Sequence, residues 1–322
     1  MKLKNLSKIL LTNLFLFLVC TISLYGQSHT IPNSKINGVQ IGLITYSWRS
    51  MPGTAQDIIN YCQQTGINSL ELMGNVAEEY AGIPKMPPRP KRNDKLSDEE
   101  KESYKISAQK AREKQRLWRI SVSMDKYKEL KILFDQASVK IHIVKFSPAK
   151  WSDEEIDYAF KAAKTLGAVG ITNEIGHDAC KRLGKFAEKH DMYAIFHNHA
   201  QPGKPDFSFE EFLAYSPNNM LNLDVGHYYG ATGKHPNEVI ERLNSRIISL
   251  HLKDKTSKNA NSPNENQPWG EGGTPIHDIL KLIEKNNWPI YCDIEVEYEI
   301  PNDSDAVIES KKCLDYCKKG LL

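Results

Sequence analysis

Short apolar runs alternate with amphipathic stretches along most of this chain. Each run has the length of a β-strand, and its near-continuous apolar composition predicts a strand buried on both faces, as in a parallel sheet. The eight predicted strands are IGLITYS (41–47), INSLELM (67–73), KIHIVKFS (140–147), AVGITNE (168–174), YAIFHNH (193–199), MLNLDVGH (220–227), IISLHLKD (247–254) and IYCDIEVEY (290–298).

Helical periodicity fills the gaps between these strands, and several of the periodic stretches end in Gly or Asn, as helices commonly do. The predicted helices are 55–66, 153–167, 179–190, 236–244 and 275–287. Eight alternations of a buried strand with a helical segment predict an α/β fold, namely a (β/α)8 TIM barrel over residues 39–317.

The second and third predicted strands are farther apart than one crossover helix requires. The intervening segment begins with four prolines between residues 84 and 90 and then becomes charged and helical from 97 to 134. We therefore predict a helical insertion at 84–135, favouring a solvated excursion over a lid on the site. A second long excursion, 258–274, leaves the C-terminal end of strand seven and is expected to border the barrel mouth.

The first 26 residues have the pattern of a secretory signal peptide. Three lysines precede an apolar stretch from Ile9 to Leu24, and Gly26 is a plausible cleavage position. This pattern predicts export, with the periplasm as the expected location and no stable membrane insertion after cleavage.

Five cysteines follow the predicted signal peptide, which itself contains Cys20. The five match no zinc-binding spacing and are predicted to be buried thiols. These are Cys62, Cys180, Cys292, Cys313 and Cys317.

Composition and charge narrow the class of partner. The 322 residues are 40% hydrophobic and 25% charged, which is ordinary for a globular protein. Because 42 basic residues nearly balance 40 acidic ones, for a net charge of +2, no strong field favours nucleic acid. A small molecule is the expected partner, and the oligomeric state is left open.

Ionisable side chains stand at the C-terminal ends of four predicted strands. These residues are Glu174, Asp224, His251 and Glu295. The C-terminal ends of barrel strands meet at one mouth, and buried charges there need compensation. We therefore predict a divalent metal bound by these four residues. Oxygen and nitrogen ligands together favour Mn or Co, with Zn or Mg open.

Further polar residues accompany the predicted metal site. Residues His197, His227, Lys253 and Trp269 are predicted to bind substrate, and the choice between His197 and His199 as a metal ligand is open. For Lys253 the alternative is a salt bridge to Glu295 or Glu297. The predicted catalytic residues are Glu174, Glu295 and His199. Glu174 or Glu295 would be the base, and His199, with His197 and His227 as alternatives, would be the acid or the partner of the leaving group.

Five short motifs carry a family resemblance. They are FHNH (196–199), LDVGH (223–227), HLKD (251–254), GEGG (270–273) and DIEVE (293–297). With these motifs the chain resembles the xylose-isomerase-like TIM barrels, the sugar phosphate isomerase/epimerase superfamily. The resemblance implies a metal held by Glu, Asp, His and Glu from four strands, and Asp224, His251 and Glu295 match three of these ligands. Strand five departs from the pattern: His197 stands where epimerase members usually have a Glu, and Glu174 is the candidate replacement.

The resemblance implies a metal-dependent sugar isomerase or epimerase, and the predicted signal peptide implies that this enzyme is exported. It would remove a proton next to a carbonyl through an enediolate stabilised by the metal. Export and the absence of a phosphate-binding loop motif favour an unphosphorylated or 3-keto sugar. Two alternatives stay open: a lyase or hydratase that cleaves 3-keto-glycosides by β-elimination, and a non-catalytic sugar-binding protein. An endonuclease of the same superfamily would need a basic surface and an additional His, which this sequence lacks.

Overall fold

Parallel strands close into a barrel in the computed structural model, which describes residues 31–90 and 95–322. The strands are β1 (Lys35–Ile36), β2 (Val39–Ile44), β3 (Ser69–Met73), β4 (Lys140–Lys145), β5 (Gly170–Glu174), β6 (Tyr193–His197), β7 (Asn219–Asp224), β8 (Ile247–Leu252), β9 (Asp254–Lys255), β10 (Asn266–Gln267) and β11 (Tyr291–Ile294). Strands β2 to β8 pair in sequence order, and β11 closes the ring between β8 and β2. The predicted eight-stranded barrel is confirmed.

Helices cover the outside of this barrel. They are α1 (Ala55–Thr65), α2 (Gly74–Ala81), α3 (Asp98–Ser121), α4 (Asp125–Gln136), α5 (Asp153–Thr165), α6 (His177–His190), α7 (Phe209–Leu213), α8 (Val225–Thr232), α9 (Asn237–Leu243), α10 (Ile276–Asn286) and α11 (Ala306–Leu321). Local sequence sets several of their ends. The Thr54 and Ser152 side chains accept the N3 backbone N–H of α1 and α5, and Gly66 ends α1 with a left-handed φ of 84°.

Apolar side chains pack between the strands and the helices. Trp48 is 1% exposed and donates its indole N–H to Ser310 of α11 over 3.0 Å, so it belongs to the core rather than to a sugar-stacking surface. The five cysteines of the barrel are buried free thiols, as the sequence predicted. Burial of this apolar surface provides the main stabilisation of the fold.

The barrel interior is unusually polar. Its fully buried residues include Ser69, Glu71, His142, Thr172, Asn222, Ser249 and Asp293. His142 links two of them, with one ring nitrogen 2.9 Å from Ser69 Oγ and the other 2.9 Å from Asp293 Oδ2. Gly42 makes room for this carboxylate, since a Cβ there would lie 2.0 Å from Asp293 Oδ1. Hydrogen bonds therefore replace much of the aliphatic filling that a barrel of this size commonly has.

Three helices, α2, α3 and α4, lie between β3 and β4; α2 precedes the predicted insertion at 84–135, whereas α3 and nearly all of α4 fall within it. Helix α4 buries Tyr127, Leu130 and Phe134 and so forms part of the layer around the barrel. Helix α3 is mostly exposed and is docked near its C-terminal end by Arg119. This guanidinium bonds both Glu78 oxygens at 2.7 and 3.1 Å and Glu155 at 3.0 Å.

The predicted signal peptide, residues 1–26, lies outside the described residues. Within residues 31–90 and 95–322, no helix has the length and apolar character needed to cross a bilayer.

We expect Arg119→Met to lower the free energy of unfolding by about 3–5 kcal/mol, because it leaves the buried carboxylates of Glu78 and Glu155 without their cation. Urea unfolding followed by circular dichroism measures the change. Arg116→Met is the matched control, since Arg116 pairs with Glu113 on the exposed side of the same helix. Equal losses in the two variants would contradict a docking role for Arg119.

Candidate functional site

Four buried side chains meet at the C-terminal mouth of the barrel. His197 ends β6, Asp224 ends β7, His251 lies near the end of β8, and Glu295 directly follows β11. Each offers one potential ligand atom, and these four atoms lie within 4.8 Å of one another. Because the strands are parallel and neighbouring, their register alone brings these positions together. We call these four residues the mouth group.

Glu174, predicted as a metal ligand, lies beside the mouth group rather than in it. Its Oε1 accepts a hydrogen bond from Lys145 Nζ at 2.9 Å, and its Oε2 lies 3.4 Å from His199 Nδ1. A second possible ligand set contains Glu174, His197 and His199. The reason is register: Glu174 is opposite His197 on the next strand, so His197 stands between Glu174 and Asp224.

Two carboxylates hold the ring of His251 between them. Its Nε2 lies 2.6 Å from Glu71 Oε2, and its Nδ1 lies 2.8 Å from Glu295 Oε2. Burial by itself would lower the pKa of His251, but the charges of Glu295 and Glu71 outweigh it and raise this pKa well above the usual value. Without a bound cation, His251 therefore carries a positive charge.

Glu71 is the site residue that the sequence analysis missed. It is fully buried on β3 and also accepts hydrogen bonds from Thr172 Oγ1 at 2.6 Å and Asn222 Nδ2 at 2.7 Å. These donors fix the carboxylate beneath His251, so His251 keeps a proton on Nε2 and turns Nδ1 toward the mouth. The sequence does contain a signal for Glu71. It is a carboxylate inside the apolar run INSLELM (67–73), one position after the middle of that run.

The mouth group has the donor atoms that a divalent cation requires. Asp224 Oδ2, His251 Nδ1 and Glu295 Oε2 make no well-directed hydrogen bond to any described residue, although all three are buried. The other Asp224 oxygen accepts the backbone N–H of His227 at 2.7 Å and caps α8. Burial also holds the pKa of His197 well below its usual value, which keeps that imidazole neutral and able to bind metal. Two carboxylate oxygens and two imidazoles suit Mn, Co or Zn.

Lys253 places an ammonium group against these carboxylates. Its Nζ lies 2.9 Å from Asp224 Oδ2, 2.8 Å from Glu295 Oε2 and 2.6 Å from Glu297 Oε2, and the bond to Glu297 has the best geometry. Burial opposes the charge, but the three carboxylates raise the pKa of Lys253 above its usual value. In return, Lys253 and His251 outweigh burial and hold the pKa of Glu295 well below its usual range. The salt-bridge alternative for Lys253 thus describes the structure.

Two more imidazoles continue from the mouth group toward solvent. The ring centroids of His197 and His199 are 4.9 Å apart, and those of His199 and His227 are 5.0 Å apart. His199 is half exposed, whereas burial lowers the pKa of His227 to about 4. Asn198 faces the other way: it accepts the backbone N–H of Asp224 at 3.0 Å and donates to its carbonyl at 3.2 Å. The FHNH motif therefore supplies two mouth imidazoles and a clamp on Asp224.

The Gly-rich motif fixes the chain around Asp254. Its carboxylate accepts the backbone N–H groups of Gly270 at 2.8 Å, Gly272 at 3.0 Å and Thr274 at 3.0 Å. A Cβ on Gly272 would lie 2.3 Å from Asp254 Oδ1, so this close approach requires glycine. The GEGG and HLKD motifs thus hold the segment that carries His251 and Lys253.

Trp269, predicted to bind substrate, lies elsewhere. It lines a cavity of about 500 Å³ against α11, together with Tyr298 and Tyr316. None of the mouth-group residues lines that cavity. The sequence placed Trp269 in a mouth loop, but its indole packs against Tyr316 of α11, with ring centroids 5.8 Å apart.

The chain has recognisable relatives. Residues 112–317 match the family model described as xylose isomerase-like TIM barrel. An inosose dehydratase of Clostridium botulinum (strain Eklund 17B / Type B) is 24% identical over 149 residues, which are 41% of this chain and 50% of that protein. The chain thus spans about half the length of the curated relatives it matches.

Solved structures share the fold. The probable 3-DHS dehydratase involved in petrobactin synthesis from Bacillus anthracis superimposes with a TM-score of 0.57 at 16% identity, covering 86% of this chain and 99% of that one. D-psicose 3-epimerase with D-tagatose from Clostridium cellulolyticum H10 gives a TM-score of 0.55 at 13% identity, covering 88% and 99%. At these identities the likeness concerns the fold.

We expect Glu295→Gln and His197→Ala to weaken Mn²⁺ binding by at least about tenfold, because each removes a donor of the mouth group. Glu174→Gln should change the affinity by less than about threefold. Isothermal titration with MnCl₂ measures all three, and circular dichroism confirms folding. Loss of binding in Glu174→Gln with retention in His197→Ala would instead support the ligand set predicted from the sequence.

We expect Glu71→Gln to weaken Mn²⁺ binding by about 10–100-fold, although Glu71 bonds the far nitrogen of His251. The amide can donate to Nε2, which would move the His251 proton to the nitrogen that faces the cation. The same titration measures the effect, with Glu154→Gln, a change at an exposed carboxylate of α5, as a control that should bind as wild type does. An unchanged affinity in Glu71→Gln would show that His251 is oriented by other contacts.

Proposed function

Because the chain belongs to the xylose isomerase-like TIM barrel family, we propose that it is an exported, metal-dependent enzyme acting on sugars or related polyhydroxy ketones. It removes a proton next to a carbonyl group and eliminates the substituent on the next carbon, as a dehydratase or lyase does. The observation that carries this choice is the pairing of Glu174 with His199 on one side of the mouth group.

The mouth group would hold the cation that acts as the electrophile. A divalent cation bound by His197, Asp224, His251 and Glu295 would act as a Lewis acid and stabilise negative charge on the substrate oxygen. Asn198 and Glu71 position two of these residues before substrate arrives, through Asp224 and His251 respectively. Prior positioning of this kind avoids reorganisation during the reaction.

The carboxylates at the mouth differ in their surroundings. Glu295 has a pKa well below its usual range because Lys253 and His251 neutralise it, so it is a poor proton acceptor. Glu297 is bonded to Lys253 at 2.6 Å. Glu174 has a half-exposed side chain and lies at the edge of the mouth group. We assign it as the base that removes the carbon-bound proton.

His199 completes the elimination. Its ring lies 3.4 Å from Glu174 and faces solvent at the same side of the mouth. In the proposed step the C–H bond breaks toward Glu174, its electron pair forms the C=C bond, and the neighbouring C–O bond breaks. The leaving oxygen takes a proton from the imidazole of His199. Base and acid then act on the same face of the substrate.

Epimerisation is the second candidate function. It requires a group that accepts a proton on one face of a carbon atom and a group that donates a proton on the other face. Strands β5 and β11 lie on opposite sides of the eight-stranded ring, so Glu174 and Glu297 stand across the mouth from each other. Glu297 is engaged by Lys253, which favours one-sided elimination. The inosose dehydratase relatives support this choice, while the likeness to D-psicose 3-epimerase concerns the fold alone.

Two lysines at the mouth are each paired with a carboxylate, and this pairing favours an uncharged substrate. Lys145 is bonded to Glu174 and Lys253 to Glu297, so both ammonium charges are already neutralised. A phosphate group would need such cations free. The predicted signal peptide also favours an unphosphorylated substrate, such as an inosose or a 3-keto-glycoside.

We expect the protein with Mn²⁺ to release water from an inosose or the aglycone from a 3-keto-glucoside, followed by NMR in D₂O. Glu174→Gln should reduce kcat by about 10²–10⁴-fold while Mn²⁺ stays bound, because it removes the base. The exposed Glu154 offers a matched control, Glu154→Gln, with wild-type turnover.

Other outcomes separate the alternatives. Deuterium entering the recovered sugar, or a new stereoisomer without elimination, would identify an isomerase or epimerase. Saturable sugar binding with neither exchange nor elimination would identify a non-catalytic sugar-binding protein.

A further inference from the structure

We infer that Lys253 competes with the divalent cation for the mouth group and that Glu297 holds its ammonium when the cation is bound. This inference rests on the metal-binding part of the proposed function. In this way the protein would set its own affinity for metal. Glu297, which is not a member of the mouth group, would act through Lys253.

The ammonium and the cation require the same oxygens. Nζ of Lys253 lies 2.9 Å from Asp224 Oδ2 and 2.8 Å from Glu295 Oε2. These are the two carboxylate oxygens of the mouth group that make no well-directed hydrogen bond within the described chain. A divalent ion binds such oxygens at about 2.0–2.2 Å. An ammonium and a divalent ion that share both oxygens repel each other strongly in a buried setting.

The ammonium cannot move into water, because the side chain of Lys253 is 3% exposed. Its remaining close carboxylate is Glu297, whose Oε2 already accepts its best hydrogen bond at 2.6 Å. Glu297 is two residues beyond Glu295, and its side chain is more exposed than that of Glu295. A small rotation at the end of the lysine side chain would keep the Glu297 bond and release Asp224 and Glu295.

The stem of Lys253 is held by the backbone of α8. A Cβ on Gly226 would lie 2.3 Å from Lys253 Cγ and 2.6 Å from its carbonyl oxygen. The backbone of α8 therefore packs directly on the lysine stem, which explains the glycine in the LDVGH motif. Movement of the whole side chain is blocked, so the exchange of partners is confined to Nζ.

Charge balance supports this exchange. In the absence of metal, the ammonium of Lys253 lies against the carboxylates of Asp224 and Glu295, which would otherwise be buried without compensation. When the cation takes over that compensation, the lysine still has Glu297 and forms a separate neutral pair. The protein thus avoids an uncompensated buried charge in both states, and the lysine lowers the affinity for metal.

The test is isothermal titration of the purified protein with MnCl₂. Lys253→Met should bind Mn²⁺ at least about tenfold more tightly than wild type. Glu297→Gln should bind at least about tenfold more weakly, because Nζ then keeps only Asp224 and Glu295 as charged partners. Glu299→Gln, an exposed carboxylate two residues farther along, should bind as wild type does.

Each other result overturns a defined part of the proposal. If Lys253→Met binds Mn²⁺ more weakly than wild type, the lysine positions the ligands instead of competing. If wild type binds and both variants match it, this inference fails and the metal site stands. If neither wild type nor Lys253→Met binds Mn²⁺, the metal part of the proposed function fails as well. Should Lys253→Met not fold, Glu297→Gln decides: weaker binding supports competition, and unchanged binding refutes it.

Discussion

The contacts of His251 with Glu71 and with Glu295 hold the centre of the barrel mouth. They join β8 to β3 across the barrel and to the chain that follows β11, and all three groups are buried. A single imidazole placed between two carboxylates satisfies charges that water cannot reach. The placement of the potential ligand atoms of the mouth group and the lowered pKa of Glu295 both depend on this arrangement.

Polar residues deeper in the barrel maintain it. Thr172 and Asn222 each donate to Glu71, and a separate chain from Ser69 through His142 reaches Asp293. An aliphatic interior would leave Glu71 without donors, and an unsatisfied buried carboxylate costs several kcal/mol or takes up a proton. Such a network is rigid because each member needs its partners. The barrel interior is therefore the support of the site as well as a core.

The sequence predicted most of the fold and part of the site. Uninterrupted apolar runs identify strands buried on both faces, and strand ends locate the mouth, which is why Asp224, His251 and Glu295 could be grouped in advance. Register decides the rest: Glu174 and His197 are paired neighbours, and only the structure shows which of them stands next to Asp224. Glu71 was overlooked because strand periodicity gives the face of a residue but not its partners across the barrel.

Competition for positive charge connects the site to its proposed chemistry. Every cation near the mouth that neutralises a carboxylate also removes a potential base, as Lys253 does for Glu295 and Glu297. Glu174 differs because its side chain is more exposed than those of Glu295 and Glu297, and the oxygen that is not bonded to Lys145 faces His199. In the proposed reaction, proton transfer takes place at Glu174 and His199, which lie at the ends of β5 and β6, and the cation would be held by residues at the ends of β6, β7, β8 and β11. A mouth divided in this way suits removal of a proton and a leaving group from one face.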